Sequence, residues 1–397
     1  MKKAKYPAYF NVAFFQSLQK CLVGFSKHFS KTCHRKLFVH FVLSIVNQGS
    51  NRLKEAEQVV SSSTSSTVEN LSHFLKTSTW SCTLLANIHY SFLKKRTQKR
   101  LYVALDFTAL AKTGKKFEYI GTVHDGAEKR IVDGYNLHLA LGINQEDEKE
   151  QYILDHTLSS NKHPQWPGEN PTVISCIDAL VQWYKSSKIR YKDVIHLGDR
   201  GYDRKYIIGR FIQHKCRFLI RAKDKNVTLK DGTKTKLYQL KCGIYAGVHI
   251  EAWNMKLNAV VIKAREKEDD VKEEKMVLLT MLPIKKLSQK RAKELYQKRW
   301  NIETCNKKLK GNYGIEDFRV RSWEAMQKIV SLTLLTYNVS EYYLKVWQER
   351  IKGAVEIKVS QILSSVYYVR KYIQKQLNFG FQPDFYLNQA FNQGNST

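Results

Sequence analysis

The order of strand-like and helix-like segments between residues 101 and 223 constrains the fold of this chain most. Three apolar runs of strand length follow one another closely, which is typical of an antiparallel meander. An amphipathic helix, a short buried strand, a second helix and a final strand come next. This order predicts an α/β fold, with a mixed α+β sheet that carries helices on its faces. The segments are Leu101–Leu110, Phe117–Val123, Tyr135–Ile143, Pro171–Lys185, Val194–Gly198, Arg204–Gln213 and Cys216–Lys223.

The charge of the chain favours a polyanionic partner. Its 397 residues include 66 Lys and Arg against 36 Asp and Glu, which gives a formal net charge of +30. A chain of this length is long enough for two or three domains and a sizeable core. An excess of positive charge on this scale indicates nucleic acid as the partner. The alternative is a ribosome-associated protein or a merely basic soluble protein.

Cysteine spacing and hydropathy argue against several other classes of protein. The seven cysteines are scattered and include no Cys-x2-Cys pair, which argues against a disulfide framework and against a zinc finger. No apolar run reaches the roughly 18 residues of a membrane helix. The first residues also lack the apolar core of a signal peptide. We therefore expect a soluble cytoplasmic protein without a membrane partner.

The first 98 residues predict an all-helical DNA-binding domain. Residues 1–100 contain 16 Lys and Arg against three Glu and no Asp, a concentration of positive charge that suits DNA docking. Apolar residues recur with helical spacing in several segments, and Val68–Lys76 is a candidate recognition helix of a helix-turn-helix. Ser66 and Glu69 have the spacing of a capping box before this helix. Two alternatives remain, namely an ordinary helical bundle and a flexible linker at the Ser/Thr-rich run 61–67.

Two aspartates occupy unusual places in the predicted strands. Asp106 lies near the middle of an apolar strand, where a carboxylate is unfavourable unless it is paired or binds a metal. The alternatives are a core aspartate paired with Lys or Arg, or a helix cap. Asp199 lies where the strand 194–198 ends, the usual position of functional groups in an α/β sheet. Its alternative is the cap of the following helix, a role for which Asp203 is better placed.

The segment Leu295–Lys310 predicts one helix with a polar stripe. At about 100° per residue, the side chains of Tyr296, Arg299, Glu303 and Lys310 fall within roughly 60° of one another. A helix can therefore present an aromatic ring, two cations and one carboxylate along a line. The alternative is an ordinary solvated face, because Arg299 and Glu303 have the i,i+4 spacing of a surface ion pair.

The spacing Tyr-x2-Arg-x3-Glu-x6-Lys resembles the signature of a large group of bacterial insertion-sequence transposases of the DDE type. The sequences Leu-Asp-Phe-Thr around Asp106 and Gly-Asp-Arg-Gly-Tyr-Asp around Asp199 also resemble this group, and the resemblance covers roughly residues 100–330. It implies a ribonuclease H-like catalytic domain with Asp106, Asp199 and Glu303 as catalytic residues and metal ligands. Three carboxylates form a hard-oxygen site that suits two Mg²⁺ ions, and Mn²⁺ would be a substitute.

The resemblance also implies residues that contact DNA. Tyr296, Arg299 and Lys310 would hold phosphates beside the scissile bond, as their counterparts do in the family. In relatives an aromatic residue of a β-rich insertion stacks on an extruded base, which suits Trp253; a buried strand tryptophan is the commoner explanation of such a residue. Further on, the DNA-binding candidates are Arg319 and Arg321, whose alternative is simple solvation.

These features predict five segments. They are a helical DNA-binding domain (1–98), the first part of the catalytic domain (99–223), a β-rich insertion (224–287), the second part of the catalytic domain (288–350) and a C-terminal helical segment with a tail (351–397). Within the insertion, the sequence predicts strands at 248–255, 257–264 and 276–282, with a charged turn from Glu266 to Lys275.

The resulting functional prediction is a DNA transposase of the bacterial nucleoid. It would cut at the terminal inverted repeats of an insertion sequence and join the freed 3′-hydroxyls to target DNA, as a homodimer on paired ends. No nucleotide cofactor is expected, because Lys112–Lys116 lacks the leading glycine and the Ser/Thr of a P-loop. The alternatives are a ribonuclease H-like nuclease without joining activity and a non-catalytic DNA-binding protein derived from a transposase.

Overall fold

The computed structural model describes residues 8–60, 67–97, 99–114, 116–126, 128–263 and 275–352. The helices described there are α1 (Ala8–Ser26), α2 (Thr32–Gln48), α3 (Leu53–Val60), α4 (Val68–Lys76), α5 (Cys82–Lys94), α6 (Glu169–Ser186), α7 (Lys205–Gln213), α8 (Gln289–Gln297), α9 (Trp300–Asn312) and α10 (Trp323–Lys352). The strands are β1 (Leu101–Ala111), β2 (Gly121–Asp125), β3 (Arg130–Asn144), β4 (Gln151–Ser159), β5 (Val194–Gly198), β6 (Arg217–Arg221), β7 (Asn226–Thr228), β8 (Lys234–Lys236), β9 (Gly243–Ile250), β10 (Met255–Lys263) and β11 (Lys275–Thr280).

Two compact units share these elements. The first contains the described residues of the segments Met1–Phe92, Leu110–Tyr135 and Asn306–Thr397, and the second contains those of Leu93–Ala109 and Asn136–Cys305. The predicted domain boundaries stay a prediction. Of the predicted C-terminal segment 351–397, only Ile351 and Lys352 lie within the described residues, where they end α10. Most of the predicted charged turn 266–275 also lies outside the described residues, whereas Lys275 begins β11.

Helices dominate the first unit, as the sequence predicts for its N-terminal segment. Helix α10 packs on α1, α2 and α4. The rings of Phe74 and Trp80 lie 4.9 Å apart in this core, and the indole nitrogen of Trp80 donates to the carbonyl of Phe74. The buried ammonium of Lys328 donates to the carbonyl of Ser78 and lies 4.7 Å from the Trp80 ring, so a charge inside the core is compensated.

Helix α4 has the bounds predicted for the recognition helix. Its cap is the side chain of Thr67, which accepts a hydrogen bond from the amide of Asn70, whereas the predicted cap Ser66 lies outside the described residues. Leu71, Phe74 and Leu75 bury one face of the helix. Contact of the opposite face with DNA stays a prediction.

The second unit is built on a mixed sheet. Its strand order is β4-β3-β1-β5-β6-β11-β10-β9-β7-β8. β1, β5 and β6 are parallel neighbours, and the pairs β3–β4, β6–β11, β10–β11 and β9–β10 are antiparallel. Helices α6 and α7 pack against each other, and each also packs on a strand of the sheet. This mixed α/β arrangement has the strand order of the ribonuclease H-like fold that the sequence predicted.

The meander differs from the prediction in two places. Strand β4 (Gln151–Ser159) was not predicted, and it pairs with β3 through a register shift between Ala140 and Leu141. The predicted strand Phe117–Val123 is a strand only from Gly121, because Tyr119 has a left-handed backbone, with φ of 54°. This conformation forms a turn before β2, which then pairs with the first residues of β3 within the first unit.

The predicted single helix Leu295–Lys310 is wrong in one respect, since it is divided between α8 and α9. The amides of Lys298 and Arg299 donate to carbonyls three residues earlier, as in a tight 3₁₀ turn. The side-chain amide of Asn301 donates to the carbonyl of Lys298 at 2.9 Å and competes with the regular helical pattern. The polar stripe computed for one continuous helix therefore does not describe Tyr296 and Lys310 together.

The turn after α9 depends on a glycine. Gly314 has φ of +56°, and a Cβ at this position would lie 2.6 Å from the Cα of Ser50 and 2.7 Å from the carbonyl oxygen of Gly49. We expect Gly314→Ala to lower the free energy of unfolding by about 3 kcal/mol, because backbone atoms cannot move aside as a side chain can. Urea denaturation measures this. The matched control is Gly311→Ala in α9, where a Cβ meets nothing within 4 Å and a gain of about 0.5 kcal/mol is expected. Equal effects of the two substitutions would contradict the assignment of strain to Gly314.

Candidate active site

The strand register of the second unit places Asp106 beside Asp199. β1 and β5 are parallel, and their paired residues run from Leu101↔Val194 to Ala104↔Leu197. Two residues further along each chain are Asp106 and Asp199, so both carboxylates arrive at the same level of adjacent chains. Neighbouring strands are separated by about 4.8 Å, which puts two acidic groups at one edge of the sheet.

The turn that carries Asp199 follows from its local sequence. Oδ1 of Asp199 accepts a hydrogen bond from the amide of Gly201 at 2.7 Å and caps the short 3₁₀ turn that follows β5. A Cβ on Gly198 would lie 3.0 Å from Cβ and Cγ of Tyr202, so a glycine lets the buried tyrosine pack on the strand end. One oxygen of Asp199 is thus fixed by its own backbone.

Asp203 does not cap α7, contrary to the sequence-based expectation. Its carboxylate is buried and accepts hydrogen bonds from the amide of Lys223, at 2.5 Å, and from the ammonium of Lys225. The residue before α7 is Arg204, whose side chain makes no capping hydrogen bond. Because Asp203 ties this turn to the segment after β6, its role in the unit is structural.

The third carboxylate, Glu303, comes from the first turn of α9. Its Oε1 accepts a hydrogen bond from Arg299 at 2.7 Å, and the Arg299 side chain is only 13% exposed. The ion pair proposed as a solvated helix face is therefore formed, but its cation is largely buried. Arg299 also lies 5.7 Å from the centre of the Tyr296 ring, so a shielded cation connects the aromatic ring to Glu303.

The pKa of Asp106 shows that the charges of Asp199 and Glu303 act on it. Burial and the negative charges of Asp199 and Glu303 together raise the pKa of Asp106 to about 7, against the lowering effect of Arg299. Like charges near a buried carboxyl disfavour its ionised form. The three acidic groups and one guanidinium therefore form a single electrostatic cluster with an excess of negative charge.

The donor set of this cluster fits a divalent cation. Three half-buried carboxylates offer the oxygen ligands that hard cations prefer, and a cation would relieve the repulsion that contributes to the raised pKa of Asp106. Within the described part of the chain, no three His, Cys, Asp or Glu side chains already have the close spacing that holds one metal ion. Oε1 of Glu303 is engaged by Arg299, so a cation at that oxygen would compete with the Arg299 side chain.

Arg221 is a second cation whose charge acts beside this cluster, on Tyr296. Burial raises the pKa of Tyr296, and the charge of Asp199 raises it as well, whereas Arg299 and Arg221 lower it. Arg221 is the last residue of β6, next to β5 in the sheet. Sequence analysis missed Arg221, although an arginine at the end of an apolar strand that precedes a basic loop was a usable signal.

Trp253 lies neither in a strand nor in the core. It ends a 3₁₀ turn between β9 and β10, is half-buried, and has the ammonium of Lys225 4.6 Å from its ring centre. The alternative of a buried strand tryptophan is therefore wrong. One face of the ring is engaged by a cation, and stacking on a base stays a prediction.

The remaining predicted DNA contacts belong to the first unit. Lys310 forms an ion pair of 2.8 Å with Glu316, and both side chains are about a quarter exposed. Arg319 is exposed, with its guanidinium 3.5 Å from the hydroxyl of Thr113, and Arg321 is exposed as well. Exposed arginines are compatible with phosphate binding, which stays a prediction for both.

Comparison with known protein families decides the family. A family model described as "Transposase DDE domain" matches residues 98–339, which is more than half of the chain. The chain belongs to the DDE transposase family. The family prediction is thereby confirmed, whereas membership of the group with the Tyr-Arg-Glu-Lys signature stays a prediction. A comparison with curated proteins finds no significant match.

Membership of the DDE transposase family establishes the activity at a coarse level. The family consists of transposases, enzymes that act on DNA and generally use divalent metal ions. Among the helices that the structure describes, none is long and apolar enough to span a membrane.

Proposed function

We propose that this DDE transposase cuts DNA at the terminal inverted repeats of an insertion sequence and joins the freed 3′-hydroxyls to target DNA. The observation that carries the proposal is the register that brings Asp106 level with Asp199, together with the electrostatic coupling of both to Glu303. Two aspartates from adjacent parallel strands and a glutamate from a helix form the carboxylate set that phosphodiester transfer requires.

Asp106, Asp199 and Glu303 would hold two Mg²⁺ ions, for which Mn²⁺ would be a substitute. Bound there, the ions would activate a water molecule or a 3′-hydroxyl and stabilise the leaving oxygen. The protein itself contributes orientation. The Gly201 amide fixes one oxygen of Asp199, and Arg299 fixes Glu303 until DNA enters.

Six side chains would contact the DNA. Arginine suits phosphate because its planar guanidinium donates two parallel hydrogen bonds. The aromatic side chains would pack on sugars or bases. The working assembly would be a homodimer on two paired DNA ends, because joining uses both ends of the element. The proposed contacts are Tyr296, Arg299, Lys310, Trp253, Arg319 and Arg321.

Incubation with Mg²⁺ and duplexes that carry the element's own terminal repeats tests the proposal. We expect cleaved ends and, with target DNA present, joined products. A cleaved product without joining would support the alternative of a ribonuclease H-like nuclease. Binding that needs no metal, without any cleavage, would support a non-catalytic DNA-binding protein derived from a transposase.

Lys310 provides a more specific test. We expect Lys310→Ala to lower the cleavage rate by about tenfold to a hundredfold, because loss of one charge-assisted phosphate contact removes about 1.5–3 kcal/mol. The control is Lys308→Ala on the same helix, whose ammonium pairs with Glu341 at 2.7 Å. Rates are measured on the same end duplex after circular dichroism has verified folding. Equal rates for wild type and Lys310→Ala would remove Lys310 from the phosphate-binding set.

A further inference from the structure

Five lysines of the second unit line a basic cavity of about 470 Å³. Its other described lining residues are Cys242, Ile262 and Gln289, and no lining residue within the described part of the chain carries a negative charge. We call this cavity the lysine groove. Its cations come from the segment before β9, from the facing ends of β10 and β11, and from the first turns of α8; they are Lys241, Lys263, Lys275, Lys290 and Lys293.

Positive charge is concentrated among the described residues of this groove. Lys263 and Lys275 are direct cross-strand partners in the pair β10–β11. Lys275 donates to the carbonyl of Leu240 and not to a carboxylate. Among the ion pairs of the described residues, none includes Lys241, Lys290 or Lys293. Three of the five lysines are therefore outside these ion pairs, and a polyanion is a suitable partner for them.

The sheet register places the lysine groove at the same edge as the catalytic aspartate of β5. Gly198 pairs with Ile220, so Asp199 is level with Arg221, which pairs with Leu278 of β11. Lys275 lies three residues before Leu278, roughly 10 Å further along the strand in the direction in which β5 ends. The groove and Asp199 therefore share one edge of the sheet, separated laterally by about three strand spacings, or ~14 Å.

Helix α8 begins beside the lysine groove and carries near its end Tyr296, whose pKa is affected by Asp199. The side chain of Gln289 donates to the carbonyl of Val261 in β10 at 2.7 Å, which fixes the start of the helix beside the groove. Lys290 and Lys293 follow in its first turns, and Tyr296 lies at its other end. Six residues of α-helix separate Lys290 from Tyr296 along about 9 Å. A DNA duplex carries one negative charge per ~1.7 Å of its axis, so a duplex at the active site reaches the groove within a few base pairs.

We propose that the lysine groove binds backbone phosphates of duplex DNA adjacent to the scissile phosphate. The inference rests on the proposed function, because the carboxylate cluster defines where the DNA is cut. Lysine ammonium groups bind phosphates as point charges, and the groove offers no aromatic ring for a base. The contacts thus set the position of the duplex and its salt dependence without reading its sequence.

A second basic cavity in the same unit supplies a matched control. Its volume is about 480 Å³, and its cations include Lys188, Lys192 and Lys215. It lies where β5 and β6 begin, at the sheet edge opposite to Asp199. A triple substitution there removes the same charge as one in the groove, but far from the proposed path of the DNA.

The test compares Lys241→Gln/Lys290→Gln/Lys293→Gln with Lys188→Gln/Lys192→Gln/Lys215→Gln. Binding of a labelled 30-base-pair duplex is measured by fluorescence anisotropy between about 50 and 200 mM NaCl without divalent metal. The groove variant is expected to reduce the slope of log Kobs against log salt by about 2–3, and the control variant by less than 1. An unchanged slope, or an equal change in both variants, would overturn the proposal.

Cys242 gives an independent readout in the wild-type chain. Its thiol is exposed and lines the lysine groove. Saturating duplex is expected to slow alkylation of Cys242 by N-ethylmaleimide about fivefold, as followed by peptide mass mapping, whereas an equal concentration of inorganic phosphate leaves the rate unchanged. An unprotected Cys242 would contradict the proposal. Failure of the proposed function would be seen in the cleavage assay instead. The wild-type protein would then bind the duplex and protect Cys242, but it would not cleave the duplex with Mg²⁺.

Discussion

Glu303→Gln is expected to abolish cleavage and joining while DNA binding is retained. The substitution preserves the shape of the side chain and its hydrogen-bonding capacity towards Arg299, but it removes the negative charge that would hold a cation. We expect the cleavage rate to fall about a thousandfold or more, equivalent to roughly 4 kcal/mol in the activation barrier. The measurement is the rate of cleavage of a terminal-repeat duplex with Mg²⁺, accompanied by anisotropy binding to the same duplex.

The control for this prediction is a second ion pair nearby in the sequence. Arg291 and Glu294 of α8 form an exposed pair of 3.5 Å, and Glu294→Gln should leave the cleavage rate within about twofold, because exposed pairs contribute less than ~1 kcal/mol. If Glu303→Gln cleaved as fast as Glu294→Gln, the Arg299–Glu303 pair would be an ordinary structural ion pair. The three-carboxylate site would then be wrong.

The fold was predictable where periodicity was uninterrupted. β1 buries five consecutive residues from Leu101 to Leu105, as a central parallel strand does, and its apolar run identifies it. β4 escaped prediction because Asp155, His156 and Thr157 interrupt its apolar residues. No local signal marks the left-handed turn at Tyr119, because residues other than glycine rarely adopt a positive φ.

The site was predictable in its residue types but not in its surroundings. Asp106 and Asp199 stood out because an acid in or beside an apolar strand is unfavourable without a partner. Their equal level on adjacent strands depends on the β1–β5 pairing, which no short pattern specifies. The position of Arg221 at a strand end was a usable signal, but its place beside the cluster follows only from β6 lying next to β5. The division between α8 and α9 depends on the side-chain hydrogen bond of Asn301.

Asp106→Asn is expected to inactivate the enzyme and also to stabilise it at alkaline pH. Burial and the charge of Asp199 raise the pKa of Asp106 from 3.8 to about 7, so the folded state binds its proton more tightly than the unfolded state does. Stability from this group is therefore present at pH 4 and is lost as the pH rises towards 7. At pH 8 without divalent metal, the asparagine variant should exceed the wild type by about 2–4 kcal/mol in the free energy of unfolding.

The pH dependence of this difference separates it from a general packing effect. At pH 5 the folded state keeps Asp106 protonated, whereas the unfolded state, with a pKa of 3.8, is largely ionised, so the excess stability of the asparagine variant should shrink to roughly 1–2 kcal/mol. Near pH 3.5 the two proteins should unfold at nearly the same urea concentration. Asp178 is the control of opposite sign, because its hydrogen bond to Arg210 lowers its pKa; Asp178→Asn should destabilise the protein at pH 8 and have less effect as the pH falls. A stabilisation by Asp106→Asn that is equal at both pH values would contradict the electrostatic explanation. A stabilisation that is clearly larger at pH 8 than at pH 5 would show that the fold tolerates repulsion at this cluster, which is the arrangement expected where a divalent cation binds.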